Sequence, residues 1–118
     1  MAREKINVFN NGDMKRDFTY IDDIISGTRS AIKKNYRCEV FNLGNHRSEN
    51  LMDMISLIEK ELGRKAKIDF KGMQPGDVKE SFADIDYSIE KLGFSPKTSI
   101  SLGIPKFIFW YKNYYGID

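Results

Sequence analysis

The residues able to do chemistry in this 118-residue chain are few. His46 is the only histidine and Cys38 the only cysteine, so the ordinary nitrogen and sulfur ligand sets for zinc cannot be assembled and no metal site is expected. A serine–histidine–aspartate relay would have to use His46, which stands in the polar run Asn45-His46-Arg47-Ser48 with no nucleophile-elbow spacing beside it. Cys38, in Cys38-Glu39-Val40-Phe41, reads as a buried structural thiol; it has no second cysteine for an internal disulfide, which fits a reducing compartment. Tyr87 and Lys91 are four apart, a spacing at which an ammonium could help a phenol act as a base. With six Tyr and thirteen Lys in the chain, however, about 0.7 such matches arise by chance. The short helix expected around them also lacks the preceding strand and serine that this chemistry uses. The pair reads as surface decoration. No G-x-G-x-x-G or G-x-x-G-x-x-G occurs, so no backbone can approach a dinucleotide pyrophosphate at a helix N-terminus. No catalytic residue is assigned.

The elements that would position a site follow from periodicity and turn chemistry. Ile6 to Phe9 reads as a strand ending in the turn Asn10-Asn11-Gly12-Asp13, and Asp17 to Tyr20 as an extended piece. Ile21, Ile24, Ile25 and Ile32 recur at helical spacing and predict an amphipathic helix to about Lys34, with lysines in the last turn where the dipole favours them. Glu39 to Leu43 reads as a strand with Asn42-Leu43-Gly44-Asn45 as its exit turn. Ser48 is the expected N-cap of a helix whose apolar face is Leu51, Met54, Ile55, Ile58 and Leu62 and whose stop is Gly63. Lys65 to Phe70 predicts a strand and Lys71 to Ala83 a long loop. Asp84 is expected to cap a short helix with Ile85, Ile89 and Leu92 inward and Gly93 at its end. Ser101 is expected to cap the last helix, with Pro105 tolerated near its first turn. Ile104, Phe107, Ile108, Tyr111, Tyr114 and Tyr115, widened by Phe109 and Trp110, make that helix apolar almost all round. It is either a core helix of a small domain or a surface meant for a partner.

Composition bounds the class. With 41% hydrophobic and 31% charged residues and a formal charge of +2, the chain has the profile of one globular unit, residues 1–118, and carries no nucleic-acid footprint. No apolar run is long enough to cross a membrane, and Met1-Ala2-Arg3-Glu4-Lys5 has no signal-peptide character, so a cytoplasmic location is expected. The charged opening runs into Ile6-Asn7-Val8-Phe9 without a cap or turn, as at an entry point partway through a larger protein.

Three segments carry a resemblance. They are Gly12-Asp13-Met14-Lys15-Arg16-Asp17-Phe18-Thr19-Tyr20-Ile21-Asp22-Asp23-Ile24; Phe41-Asn42-Leu43-Gly44-Asn45 with the helix after Glu49; and Met73-Gln74-Pro75-Gly76-Asp77-Val78 followed by Ala83-Asp84 and Gly93-Phe94-Ser95-Pro96. Together they cover nearly the whole chain. In order and spacing they resemble the C-terminal, substrate-binding region of NAD-dependent epimerases and dehydratases, the extended short-chain dehydrogenases. The forms Gly-Asp-Met-x-Arg-Asp-Phe-Thr-Tyr-Ile-Asp-Asp and Gln-Pro-Gly-Asp-Val look most like UDP-glucuronate 4-epimerases of polysaccharide biosynthesis.

The resemblance implies an α/β fold, the small C-terminal lobe of such an enzyme, with three or four strands and four helices and the Rossmann core absent. In the complete family enzyme, NAD takes hydride from C4 of the sugar while a tyrosine removes the hydroxyl proton. The hydride then returns to the opposite face of the keto intermediate. This chain carries none of those cofactor-side parts, so no cofactor and no turnover are expected of it alone.

The resemblance also places the ligand, a UDP-sugar. Arg16 aligns with the pyrophosphate-contacting arginine, a role its planar fork suits; the alternative is a surface pair with Asp17 or Asp13. Asp77 aligns with the ribose-binding carboxylate, or else is only a turn residue after Pro75-Gly76. Gln74 stands where many relatives have arginine, offering a neutral hydrogen bond. Arg47 aligns with a position lining the nucleotide pocket, or is a solvated loop residue. Asp22, Asp23 and Asn42 read as structural. Two partners other than the sugar nucleotide are expected: the missing NAD-binding half, or a second copy recruited by unpaired strand edges. The rival reading is a stand-alone binding or interaction domain that keeps the lobe without the epimerase.

Overall fold

The computed structural model describes residues 4–118; residues 1–3 of the charged opening lie outside the described residues. Strand β1 (Ile6–Val8) leads through a 3-10 turn (Phe9–Gly12) to β2 (Lys15–Arg16) and helix α1 (Ile21–Lys34). Next come β3 (Glu49–Asn50), α2 (Leu51–Leu62), β4 (Ile68–Phe70), α3 (Asp86–Leu92) and α4 (Ile100–Tyr115). This is the small α/β unit the motifs imply. β1 and β4 pair in parallel, Ile6 opposite Ile68 and Val8 opposite Phe70. β2 and β3 pair antiparallel, Lys15 opposite Asn50 and Arg16 opposite Glu49. The turn between β1 and β2 uses left-handed Asn10 and Asn11, a conformation their short polar side chains tolerate. Gly12, at φ 82°, ends it where a Cβ would sit 2.8 Å from Met52 Sδ.

β2 is held on both sides. Leu51 N donates to Met14 O on the β3 side, while Lys15 N donates to Lys79 O and Ser81 N to Lys15 O on the other. The segment expected to be extended, Asp17 to Tyr20, follows this two-residue strand without being one itself. The long loop of residues 71–83 is thereby stitched to β2, and that stitching positions the candidate site. α2 packs against α4. Its N-cap is Asn50, whose Oδ1 accepts from Met52 N at 3.0 Å, and not Ser48, whose Oγ is buried without a partner. Gly63 ends α2 in the left-handed conformation, as its position after Leu62 predicts.

The interior is small. Ile85, Leu92 and Phe94 form its centre, with Ala31, Phe41, Leu43 and Ala83 packed around them. Ile85, just before α3, and Leu92 within it are buried as expected, but Ile89 is exposed. The helix is rolled toward Ser88, whose buried Oγ donates to Asn42 O at 2.6 Å. Asp84 does not occupy the N-cap position, which is Ile85, yet its Oδ1 still accepts from Asp86 N at 3.1 Å. Helix α4 begins at Ile100 with Ser99 as N-cap, two residues earlier than Ser101 would give. Pro105 therefore lies in the second turn, and its missing N–H leaves the exposed Ser101 carbonyl without a helical donor.

Three expectations about burial are overturned. Cys38 is exposed. Residues 39–43 form no strand, because no other strand of the described residues lies alongside to complete a ladder. Helix α1 turns its isoleucine face outward: Ile21, Ile25 and Ile32 are 62%, 49% and 74% exposed. What α1 buries is the opposite side, Asp23 and Gly27. Gly27 has no room for a Cβ, which would lie 2.7 Å from Leu43 and 2.9 Å from Phe94. Asp23, 3% exposed, accepts from the backbone N–H groups of Lys97 and Thr98 at 3.2 and 3.0 Å. Thus α1 seats itself on the chain through a small residue and a hydrogen-bonded carboxylate, and leaves Ile21, Ile25 and Ile32 to solvent.

Candidate functional site

Arg16 ends β2, and the loop stitched to that strand brings Asp77 to it. Residues Gln74-Pro75-Gly76-Asp77 make a tight turn, with Asp77 N donating to Gln74 O at 3.2 Å and Gly76 at φ 79°. Proline second and a left-handed glycine third are what such a turn demands. The turn aims Asp77 back at Arg16: Arg16 Nη2 donates to Asp77 Oδ1 at 2.9 Å, across 61 positions of sequence. Nη2 also donates to Val78 O at 2.7 Å, and Nη1 to Lys15 O and Lys79 O at 2.7 and 3.3 Å. Asp77 Oδ1 also accepts from Val78 N at 2.8 Å. Arg16 pairs with neither Asp13, which is bridged to Lys79 at 2.9 Å, nor Asp17.

Asp17 is the residue that sequence reasoning undervalued. Its carboxylate accepts three backbone N–H bonds, from Asn45 at 2.9 Å, His46 at 3.0 Å and Ala83 at 3.0 Å. One side chain thus ties the end of β2 to two loops distant in sequence. The contact is so close that Gly44 can be nothing larger: a Cβ there would stand 2.5 Å from Ala83 Cβ and 2.9 Å from Asp17 Oδ2. His46 takes a left-handed backbone, φ 54°, and its Nδ1 meets Ala83 O at 2.7 Å, so its ring fastens the same two loops. The adjacency of Asp17 to Arg16 was the available signal. Three backbone donors converging from positions 28 to 66 residues away were not readable from it.

Beside this knot runs an open groove of about 490 Å3, bordered by Arg16, Asp17, Phe41, Asn42, Ser81 and Asp84. Asn42 is structural as expected, its Nδ2 donating to Asp84 O at 3.3 Å. Asp22 is exposed at the start of α1. Of the four residues the resemblance singles out, Arg16 and Asp77 are in contact and Gln74 is exposed at the start of the same turn. Arg47 is exposed on the loop that Asp17 anchors. Of these four, only Arg16 borders the groove itself, with Asp77 reaching it through the ion pair.

The Tyr87 hydroxyl is engaged by Glu39 and not by Lys91. The Tyr87 hydroxyl donates to Glu39 Oε2 at 2.8 Å, and its ring stacks on Phe41 at 5.4 Å. That hydrogen bond to Glu39, chiefly, with desolvation and the nearby Glu39 and Glu90 charges, raises its pKa above 10.0. A base would need the opposite shift. Lys91 Nζ lies 6.0 Å from the Tyr87 ring centroid. The residues present do not fit NAD either, since no two of the nine glycines have the G-x-G spacing a pyrophosphate-cradling turn uses.

Residues 1–107 match the family model described as GDP-mannose 4,6 dehydratase, and the chain belongs to that family. An uncharacterised protein of Methanocaldococcus jannaschii is 47% identical over 92% of this chain and 33% of its own length. UDP-glucuronate 4-epimerase 4 of Arabidopsis thaliana is 36% identical over 98% of this chain and 30% of its own. Among solved structures, the UDP-glucuronic acid 4-epimerase from Bacillus cereus in complex with UDP-glucuronic acid and NAD superposes with a TM-score of 0.82. It is 35% identical over 96% of this chain and 37% of that one. The chain therefore spans about a third of the length of the relatives it matches, in keeping with the resemblance to their C-terminal region.

Proposed function

We propose that this chain is the nucleotide-sugar-gripping portion of a UDP-glucuronate 4-epimerase-like enzyme. Arg16 binds the diphosphate, Asp77 accepts from the ribose hydroxyls, Gln74 supplies a neutral hydrogen bond where an arginine would add charge, and Arg47 lines the nucleotide. The observation that carries this reading is the meeting of Arg16 and Asp77 at 2.9 Å on the edge of the groove. Both η nitrogens of Arg16 are engaged by the chain's own acceptors, so ligand capture exchanges some of these bonds for phosphate oxygens. The pair is about one third exposed, and contacts of that kind contribute under roughly 1 kcal/mol, which a doubly charged diphosphate readily outbids. Alone, the chain performs no epimerisation, because it offers neither a dinucleotide cradle nor a tyrosine set up as a base.

Calorimetric titration and thermal unfolding with UDP test the reading. UDP at 100 times its dissociation constant adds about 2.7 kcal/mol of stability. Arg16→Gln weakens UDP binding by roughly 10-fold or more, the equivalent of one or more hydrogen bonds to a charged group. Asp77→Asn weakens uridine more than pyrophosphate, and Cys38→Ser changes nothing. No stabilisation at millimolar UDP, or equal binding by wild type and Arg16→Gln, would refute it. The rival reading, an interaction domain, draws on the exposed apolar surface of α1 and α4 and predicts association without UDP binding.

A further inference from the structure

The ion pair that carries the functional reading is also an obstacle to the ligand. A guanidinium has five N–H donors. The four on the η nitrogens of Arg16 face four acceptors of the chain itself, Lys15 O and Lys79 O for Nη1 and Asp77 Oδ1 and Val78 O for Nη2. Nε alone has no acceptor among the described residues. A phosphate held in the bidentate manner needs two parallel N–H groups, so it is gripped fully only when one of the four acceptors lets go. Three of them are backbone carbonyls of β2 and of the loop stitched to it. Asp77 is the one acceptor on a side chain, able to turn away without moving that backbone.

The charge around Arg16 opposes a bare anion. The charged residues bordering the groove are Arg16, Asp17 and Asp84, one cation against two carboxylates, and Asp77 adds a third carboxylate from the loop. Gln74 brings no positive charge to the turn, and Lys79 is bridged to Asp13 at 2.9 Å. Free phosphate or pyrophosphate therefore approaches Arg16 against Asp77, and on arrival leaves that carboxylate facing an anion without its cation, a like-charge contact that repels. A ligand with hydroxyls beside its diphosphate escapes this. Asp77 Oδ1 accepts from Arg16 and from Val78 N, while Oδ2 has no donor among the described residues, and a ribose hydroxyl supplies one. One end of such a ligand compensates the carboxylate that the other end displaces.

We infer that Asp77 determines the specificity of the groove: as the internal counter-ion of Arg16 it excludes bare anions and admits ligands that carry a diphosphate and a hydroxyl-bearing ring in one molecule. The inference rests on the functional reading above and goes beyond it. There Asp77 only accepts from the ligand; here its charge also works against part of the ligand. The two roles differ in sign. A carboxylate that only accepts hydroxyls can be neutralised without effect on pyrophosphate. A carboxylate that guards Arg16 releases the guanidinium when neutralised, so pyrophosphate binds more tightly while the nucleoside binds less well.

Calorimetric titration of the 118-residue chain with inorganic pyrophosphate, uridine and UDP separates the two. Asp77→Asn tightens pyrophosphate by about 3-fold or more, in keeping with the few-fold worth of a partly exposed ion pair. It weakens uridine, and it lowers the preference for UDP over pyrophosphate by about 10-fold. Asp77→Ser, equally neutral, does the same, so the test survives a variant that fails to fold. Asp22→Asn removes an equal charge from the start of α1, outside the groove lining, and leaves pyrophosphate affinity within about 1.5-fold of wild type, as screening of a remote charge requires. Pyrophosphate affinity that is unchanged or weaker in the Asp77 variants would overturn the inference. So would equal tightening by Asp22→Asn, which would reduce the effect to net charge. If UDP does not bind, or binds wild type and Arg16→Gln equally, the functional reading falls and takes this inference with it. If UDP binding depends on Arg16 while pyrophosphate is not tightened, the inference alone fails.

Discussion

Replacing Asp17 by asparagine removes the charge from the knot that holds the groove together, and the cost can be worked from three distances. Oδ1 accepts from Asn45 N at 2.9 Å, and Oδ2 from His46 N and Ala83 N, both at 3.0 Å. Asparagine keeps one oxygen. Turned toward His46 and Ala83, it retains two weakened bonds and points its NH2 at the Asn45 amide, donor against donor. An unpaired donor in a partly buried setting costs about 1–3 kcal/mol, and hydrogen bonds to a neutral acceptor are weaker than those to a charged one. We therefore expect a loss of about 2 kcal/mol, which for a domain of this size is a fall of roughly 8 °C in Tm. Thermal unfolding followed by circular dichroism gives the number, and amide NMR shifts of Asn45, His46 and Ala83 give the cause. Because Arg16 is adjacent, UDP affinity falls with it. A Tm within 2 °C of wild type, or unchanged shifts at those three amides, would refute the assignment of Asp17 as the tie between β2 and the two loops.

Gly44→Ala is expected to destabilise by about 2–4 kcal/mol, because the new methyl lies 2.5 Å from Ala83 Cβ and backbone must move; chemical denaturation measures it, and a loss below about 1 kcal/mol would mean the loops are loosely held. Ser48→Ala should leave stability unchanged or raise it by up to about 1 kcal/mol, since it removes a buried hydroxyl that bonds nothing; a fall in Tm would reveal a partner for Ser48. Tyr87 provides a pH signature. Its raised pKa means that the stabilisation from its bond to Glu39 is fully present below 10.0 and is lost as pH rises through the higher folded-state value. Absorbance at 295 nm should show a tyrosine ionising later than 10.0, and Tyr87→Phe should delete that late step.

The candidate site was more legible than the surface around it. The turn of Gln74 to Asp77 follows from Pro75 and Gly76, and the pairing of Asp77 with Arg16 joins two motifs whose residue types already suggested one ligand. Local chemistry is written locally: a proline, a glycine and an aspartate constrain only a few dihedral angles. Asp17 was less legible because nothing in its neighbourhood announces that three amides from elsewhere will converge on it. Ser48 and Ser101 misled for a related reason, since the better-placed Asn50 and Ser99 took the N-cap positions and each boundary shifted by two residues.

The failures of burial teach more, because they share one direction. The isoleucines of α1 and Cys38 were expected inside, yet Ile21, Ile25, Ile32 and Cys38 lie outside and Ile24 is only half-buried, and the strand expected at Glu39 to Leu43 sets Phe41 and Leu43 against the core but has no ladder. Periodicity records the environment for which a sequence was selected; burial in one chain records only what that chain can cover. When a stripe of isoleucines is exposed while a glycine and a hydrogen-bonded aspartate are buried on the same helix, the two records disagree. The disagreement has a location, the face of α1 opposite Gly27. The groove beside Arg16 is bounded by part of a segment, residues 39–43, whose backbone N–H groups have no backbone acceptor among the described residues. Phe41 and Asn42 line that groove, so whatever orders residues 39–43 also orders one wall of it.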